Sequence, residues 1–363
     1  MPKRRGNNEG SIFWEKSRQR WCAEISLPNG KRKRKRSKNK KLLQNWLLEM
    51  RNKINTNLPL EESEDTVGAY FTRYMEEVAK HTVKPTTYRS YLWAKDHITA
   101  EIGHIKLKDL SPSRLESLYA LKLSEGLSKR SVQYIHSLIR KMMNKAVKTN
   151  LVVRNPAFGV EAPKPERKEP ITLSIDQSQR LFDSVESPRW RTIYVIAVMM
   201  GLRKSEILGL RWEDVNFRNR TISIKNIIYE IDGHIYQGTP KTKKSRRTVL
   251  MPDIVCETLN EYRELAERKR GLIFTTSSGR PVSPRNLSRH FYGALEKADL
   301  PRIRFHDLRH TSATILLSQN VHPKVVQEML GHSTITLTLD TYSHVIQGIQ
   351  KEAANTMDKL FKE

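Results

Sequence analysis

At 363 residues the chain is too long for one small domain and reads as two or three. No stretch approaches the roughly 18 uninterrupted apolar residues of a membrane span, and no apolar segment follows the basic N-terminus as a secretory signal requires. Cys22 and Cys256 are the only cysteines and lie far apart, which excludes a disulfide framework or a cysteine-rich zinc site and fits a reducing compartment. Sixty-five Lys plus Arg against thirty-nine Asp plus Glu leave a formal charge of +26. Self-repulsion on that scale calls for an anionic partner. Nucleic acid is favoured through counterion release at each phosphate, while charge alone leaves membrane surfaces and ribosomal RNA open.

Residues 1–58 hold seventeen Lys plus Arg and four Asp plus Glu, an excess of thirteen and half of the total. Trp21, Ala23, Ile25 and Leu27 alternate with polar neighbours, the period of a half-buried strand. Asn29-Gly30 then predicts a two-residue hairpin turn, because both positions tolerate positive φ. Lys31, Arg32, Lys33, Arg34, Lys35 and Arg36 form the returning strand, and 11–14 an additional one. Leu42, Leu43, Trp46, Leu47, Met50 and Ile54 recur at helical spacing. The expectation is a three-stranded sheet on one helix, its basic strand a ribbon able to enter a DNA groove. The ordinary alternative is a solvated charge run or a localisation tag.

Residues 59–65 are acidic and polar and read as a linker. From Thr66 to about residue 160 the pattern is helical. Val67, Tyr70, Phe71, Tyr74, Met75 and Val78 share one face, Pro85 restarts a helix, Ser111-Pro112 supplies an N-cap with proline at the first helical position, and Ser128 caps another helix. Proline-rich residues 162–170 form a second linker. Beyond it, helices are predicted over 193–200, 207–210, 284–298, 312–318, 323–329 and 345–360, with strands over 221–228, 248–251 and 272–274.

Four stretches of this last segment carry chemistry. Gly201-Leu202-Arg203 opens an apolar helix, and Glu206 follows one turn later. Residues 239–247 (TPKTKKSRR) read as the tip of a basic hairpin, where Lys241 can serve as a phosphate ligand or proton donor. His306-Asp307-Leu308-Arg309-His310 puts His306 and Arg309 on one helical face. A zinc pair of His306 and His310 lacks the glutamate of the HExxH pattern. Gly331-His332 is followed by Asp340-Thr341-Tyr342. Each stretch alone has a bland reading: a capping arginine, a nonspecific phosphate contact, an ordinary tyrosine.

In this order, Arg203, Lys241, His306-x-x-Arg309, Gly331-His332 and Tyr342 resemble the tyrosine recombinase family, the phage or integrative-element integrase type in particular. The resemblance implies a multidomain α+β chain: an arm-type DNA-binding domain at 1–58 (a three-stranded sheet plus helix), a helical core-site DNA-binding domain at 66–160, and a mixed, mainly helical catalytic domain with a small antiparallel sheet at 171–363. It implies site-specific integration and excision of a phage or mobile element through a 3′-phosphotyrosine intermediate. Tyr342 is then the nucleophile, Arg203 and Arg309 clamp the phosphate, and His332 hydrogen-bonds it. His306 is the general base, Lys241 the general acid (Lys243 and Lys244 are alternatives), and Glu206 orients the site. No cofactor or metal is implied. The implied partners are double-stranded DNA attachment sites, a homotetramer on DNA, and DNA-bending accessory proteins or a directionality factor. The implied setting is the cytoplasm of a bacterial host, at the nucleoid. Ile346, Ile349, Ala353, Met357 and Leu360 form an apolar stripe that either closes its own domain or, as the same resemblance implies, docks on a neighbouring protomer. A type IB topoisomerase and a non-enzymatic DNA-binding protein are the rival readings.

Overall fold

The computed structural model describes residues 10–27, 30–56, 63–166, 170–240, 246–331, 334–335, 355 and 357–361. The chain divides into two compact units, Met1–Glu166 and Arg167–Glu363.

In the first unit, β1 (Ser11–Glu15), β2 (Arg20–Ser26) and β3 (Arg32–Ser37) form an antiparallel sheet in that order. Helix α1 (Lys40–Asn55) begins at Asn39, whose side chain accepts the backbone N–H groups of Lys41 and Leu42 at 2.9 and 3.3 Å. Such a cap satisfies two of the N–H groups that a helix start leaves open. Leu43, Trp46, Leu47 and Met50 on α1 bury Ala23 and Ile25 of β2. The turn differs from expectation. Leu27 N–H donates to the Lys31 carbonyl at 2.7 Å, so three residues rather than two separate that pair. Gly30 adopts φ 77°, the left-handed conformation that glycine reaches without a Cβ penalty.

Of the linker expected at 59–65, residues 59–62 lie outside the described residues, and Ser63 to Asp65 are fastened to the helical part. Ser63 N–H donates to the Leu151 carbonyl at 2.8 Å, Glu64 pairs with Lys106 and Lys108, and Asp65 pairs with Arg73. Helix α2 (Val67–Tyr74) runs through a π-helical turn (Met75–Ala79) into α3 (Lys80–Thr82). Then follow α4 (Pro85–Ile102), α5 (Pro112–Ser124) and α6 (Lys129–Lys148). Ser111 and Ser128 cap α5 and α6 through their side-chain oxygens. Phe71, Ile98, Leu115, Ile135, Ile139 and Met142 share one core, separate from that of the sheet and α1. At about 1.5–3 kcal/mol for each large apolar side chain, that burial dominates what holds the helices together.

In the second unit, α7 (Ile175–Asp183) opens with a capping box: Ser174 Oγ accepts Gln177 N–H at 3.1 Å, and Gln177 Oε1 accepts Ser174 N–H at 2.9 Å. Helix α8 (Pro188–Met200) is buried along nearly its whole length and forms the axis of the core, with the short α9 (Lys204–Leu208) after it. The strand expected over 221–228 is two strands in different sheets. β4 (Val215–Asn216), β5 (Thr221–Ile224) and β8 (Arg247–Leu250) form one sheet in the order β4-β5-β8, and β6 (Ile227–Ile231) pairs only with β7 (His234–Gly238). The break falls at Asn226, whose carbonyl lies 2.5 Å from where a Cβ on Gly209 would sit, so the chain leaves the first sheet to pass against α9. The single small sheet expected here is therefore two.

The tip of the basic hairpin expected over 239–247 lies, at 241–245, outside the described residues; of the strands on either side, β7 pairs with β6 and β8 with β5. Residues 272–274 form no strand; Leu272 makes an isolated bridge with Arg211. After β8 come α10 (Asp253–Leu265), α11 (Pro284–Lys297), α12 (Asp307–Ser318) and α13 (Pro323–Leu330). Most of the helix expected over 345–360 lies outside the described residues. No helix among those described is long and apolar enough to cross a membrane.

Candidate active site

Gly201 ends α8 with φ 59°. A Cβ there would lie 2.3 Å from Leu330 Cδ2 and 3.1 Å from Ser312 Oγ, so α8, α12 and α13 meet where only glycine fits. The Gly201 carbonyl accepts Arg309 Nη1 at 2.8 Å, which ties the His-x-x-Arg box to the Gly-Leu-Arg segment although 108 residues separate them. Arg309 is 3% exposed.

Arg203 occupies the N-cap of α9 and binds Glu206 twice: its backbone N–H donates to Oε2 at 3.0 Å and its Nη1 to Oε1 at 2.7 Å. Its Nη2 donates to the Gly331 carbonyl at 3.2 Å. Glu206 is buried, at 2% exposure. Burial works to raise its pKa, but the charges and hydrogen bonds of Arg247 and Arg203 outweigh that and hold the carboxyl below its ordinary value. The expected orienting residue is therefore an ionised carboxylate shared by two guanidinium groups.

His306 is the N-cap of α12, and its ring meets that of His310 edge to face at 5.4 Å between centroids. Crowding by protein, then the positive neighbours His310, Arg309 and Arg203, push its pKa down to about 4 against the opposing pull of Asp307. An imidazole so placed is neutral and able to accept a proton. Asp307 in turn fixes the approach to α12. It accepts Arg304 N–H at 2.8 Å, Nε at 3.1 Å and Nη2 at 2.7 Å.

Arg203, Glu206, His306 and Arg309 are thus gathered by α8, α9 and α12. Lys241, Lys243, Lys244, His332 and Tyr342 lie outside the described residues. The geometry adds Arg247, to which the sequence reading gave no separate role. It closes a run rich in basic residues, and the signal it offered was a position two before Val249 on a strand, hence on the same inward face.

The basic ribbon of the first unit has two distinct faces. Register pairs Lys33 with Ile25 and Lys35 with Ala23, on the side covered by α1. Arg32, Arg34 and Arg36 stand opposite Ser26, Glu24 and Cys22, on the other side. There Arg32 and Arg34 share Glu24, and Arg36 Nε pairs with Glu15 at 2.8 Å. Lys31, also exposed, lies at the hairpin end.

Residues 172–348 match the phage integrase family, and residues 66–120 match the phage integrase N-terminal SAM-like domain. A XerC-like tyrosine recombinase of Caldanaerobacter subterraneus subsp. tengcongensis is 28% identical over 92% of this chain and 93% of its own length. An integrase of Streptomyces ambofaciens is 27% identical over 100% and 99%. Among solved structures, the Tn1549 transposon integrase in complex with transposon right-end DNA superposes with a TM-score of 0.71 at 20% identity, covering 82% of this chain and 100% of that one. A lambda integrase tetramer bound to a Holliday junction gives 0.60 at 17% identity, covering 90% and 96%.

Proposed function

The chain belongs to the phage integrase family of tyrosine recombinases, and on that premise we propose that it exchanges DNA strands at attachment sites with Tyr342 as the nucleophile. The observation that carries the reading is the convergence of two separate stretches of chain: Arg203 is held by Glu206, Arg309 by the Gly201 carbonyl, and both guanidinium charges act on the His306 ring. Two always-charged planar groups set beside a neutral imidazole suit a phosphodiester whose non-bridging oxygens gain negative charge in the transition state.

In the proposed reaction the Tyr342 Oη attacks phosphorus. The Oη–P bond forms as the bond to the 5′ oxygen breaks, His306 takes the phenolic proton, and Lys241 supplies a proton to the leaving oxygen. His332 hydrogen-bonds the phosphate. The phosphotyrosine keeps the bond energy, so a 5′ hydroxyl can reverse the step without ATP. Residues 1–58, 66–160 and 171–363 would act as the arm-binding, core-binding and catalytic domains of a tetramer assembled on DNA, with DNA-bending or directionality proteins beside it in a bacterial cytoplasm. Support for the tetramer comes from the superposable lambda integrase. On the ribbon, the arginine face is the better candidate for a groove, since the lysines at 33 and 35 lie on the side of α1.

Two experiments test the proton transfers. A substrate with sulfur at the 5′ bridging position has a leaving group that needs no proton, so Lys241→Ala should cleave ordinary DNA poorly and this DNA at close to the wild-type rate. An equal defect on both substrates moves the acid role to another residue. In the free protein, the His306 ring should titrate at about 4 by proton NMR, below the ordinary value of about 6.5. The sign follows from linkage: the unfolded state binds the proton more readily between those values, so His306 withdraws stability as pH falls through that window. A midpoint at the ordinary value contradicts the lowering by burial and neighbouring charge, and one well above it, which leaves the ring charged at neutral pH, contradicts a neutral base.

A further inference from the structure

The connection that carries Lys241 rejoins the sheet at Arg247. The side chain is 9% exposed and turned inward, where a charge requires partners. Its Nε donates to the Met329 carbonyl at 3.0 Å, in the last turn of α13. Helix ends leave carbonyls open and carry partial negative charge, which favours a cation there. Its Nη2 and Nη1 reach the Glu206 carboxylate at 3.2 and 3.4 Å. Gly331, with φ 69°, is the position whose Cβ would strike this guanidinium, at 2.9 Å from Nη1 and 3.0 Å from Cζ. The Gly331 carbonyl is meanwhile taken by Arg203.

One buried carboxylate therefore holds two guanidinium groups, and each of those holds a different carbonyl of the turn that leads into His332. We propose that Arg247 is a positioning residue for strand cleavage. It braces the turn at Met329 and Gly331 against β8, and through Glu206 it fixes the angle at which Arg203 meets the phosphate. The inference rests on the catalytic reading above. On this reading Arg247 acts through the Glu206 carboxylate and the Met329 carbonyl rather than on the phosphate itself. Without it, Glu206 answers to Arg203 alone, and the end of α13 loses its tie to the strand that anchors the lysine connection. Lysine at 247 restores the charge but not the planar group that reaches a carbonyl and a carboxylate together.

The test uses the full chain with Arg247→Lys and Arg247→Met on a labelled, nicked duplex. The duplex carries the repeated junction of the DNA that flanks the coding gene. Three quantities are read: the first-order rate of covalent adduct formation at saturating DNA, the dependence of DNA affinity on salt, and the melting temperature. The saturating rate should fall about tenfold for Arg247→Lys and about a hundredfold for Arg247→Met, as a small displacement of reacting groups requires. Affinity, salt slope and folding should stay at wild-type values. A wild-type rate in the methionine variant overturns the proposal. So does a salt slope reduced by about one, because that marks a direct phosphate ligand. Variants too unstable to bind the duplex make Arg247 a folding element and also overturn it. If the wild-type chain itself forms no adduct, the catalytic reading falls and takes the brace with it.

Discussion

Tyr342→Phe should bind attachment-site DNA as tightly as the wild type and never become attached to it. The change removes one oxygen, so binding energy spread over many phosphate contacts is untouched. The covalent step of the proposed reaction, in contrast, loses its nucleophile. The measurement is denaturing electrophoresis of protein incubated with end-labelled nicked duplex. Wild-type protein should shift the label and the phenylalanine variant should leave it free. A shifted band in the variant would sink the assignment of Tyr342.

The second large effect belongs to Arg309. It is buried against Gly201 and, in the proposed reaction, offers its remaining edge to the phosphate. Arg309→Lys keeps the charge while removing the planar two-pronged donor. Cleavage at saturating DNA should fall about a hundredfold to a thousandfold, the scale for losing one preorganised donor to a developing oxyanion. DNA affinity should change little, since one contact among many is weakened and none of the charge is lost. Melting curves separate this from a folding defect. A lysine variant that cleaves at the wild-type rate would remove Arg309 from the clamp.

Much of this is legible in the sequence. Ser111-Pro112 and Ser128 announce their helices because a capping oxygen and a proline are local signals, and α5 and α6 begin there. The alternation from Trp21 to Leu27 gave β2 its buried face because a period of two leaves no other packing. The failures are non-local. One run of β-branched residues at 221–228 is divided between two sheets by the backbone of Asn226 passing Gly209, and no periodicity encodes that crossing. The strands on either side of the basic stretch before Arg247 take other partners, β7 with β6 and β8 with β5.

The site divides in the same way. Motif order singles out Arg203, His306 and Arg309, and the structure brings the three together. It does not single out Arg247, because a basic residue in a basic run reveals nothing until a buried glutamate and a helix end are seen beside it. Glu206 was legible as an accompaniment to Arg203. Its position between two arginines depends on β8 arriving from 41 residues away.

In the proposed reaction this chain attaches itself to DNA through one tyrosine oxygen. The most direct measurement is to trap the adduct on a nicked duplex, digest it with protease and nuclease, and locate the nucleotide-bearing residue by tandem mass spectrometry. A single modified peptide is expected, with the 3′ phosphate of the cut strand esterified to Tyr342. A nucleotide on any other residue, or an adduct through the 5′ phosphate, contradicts that reaction.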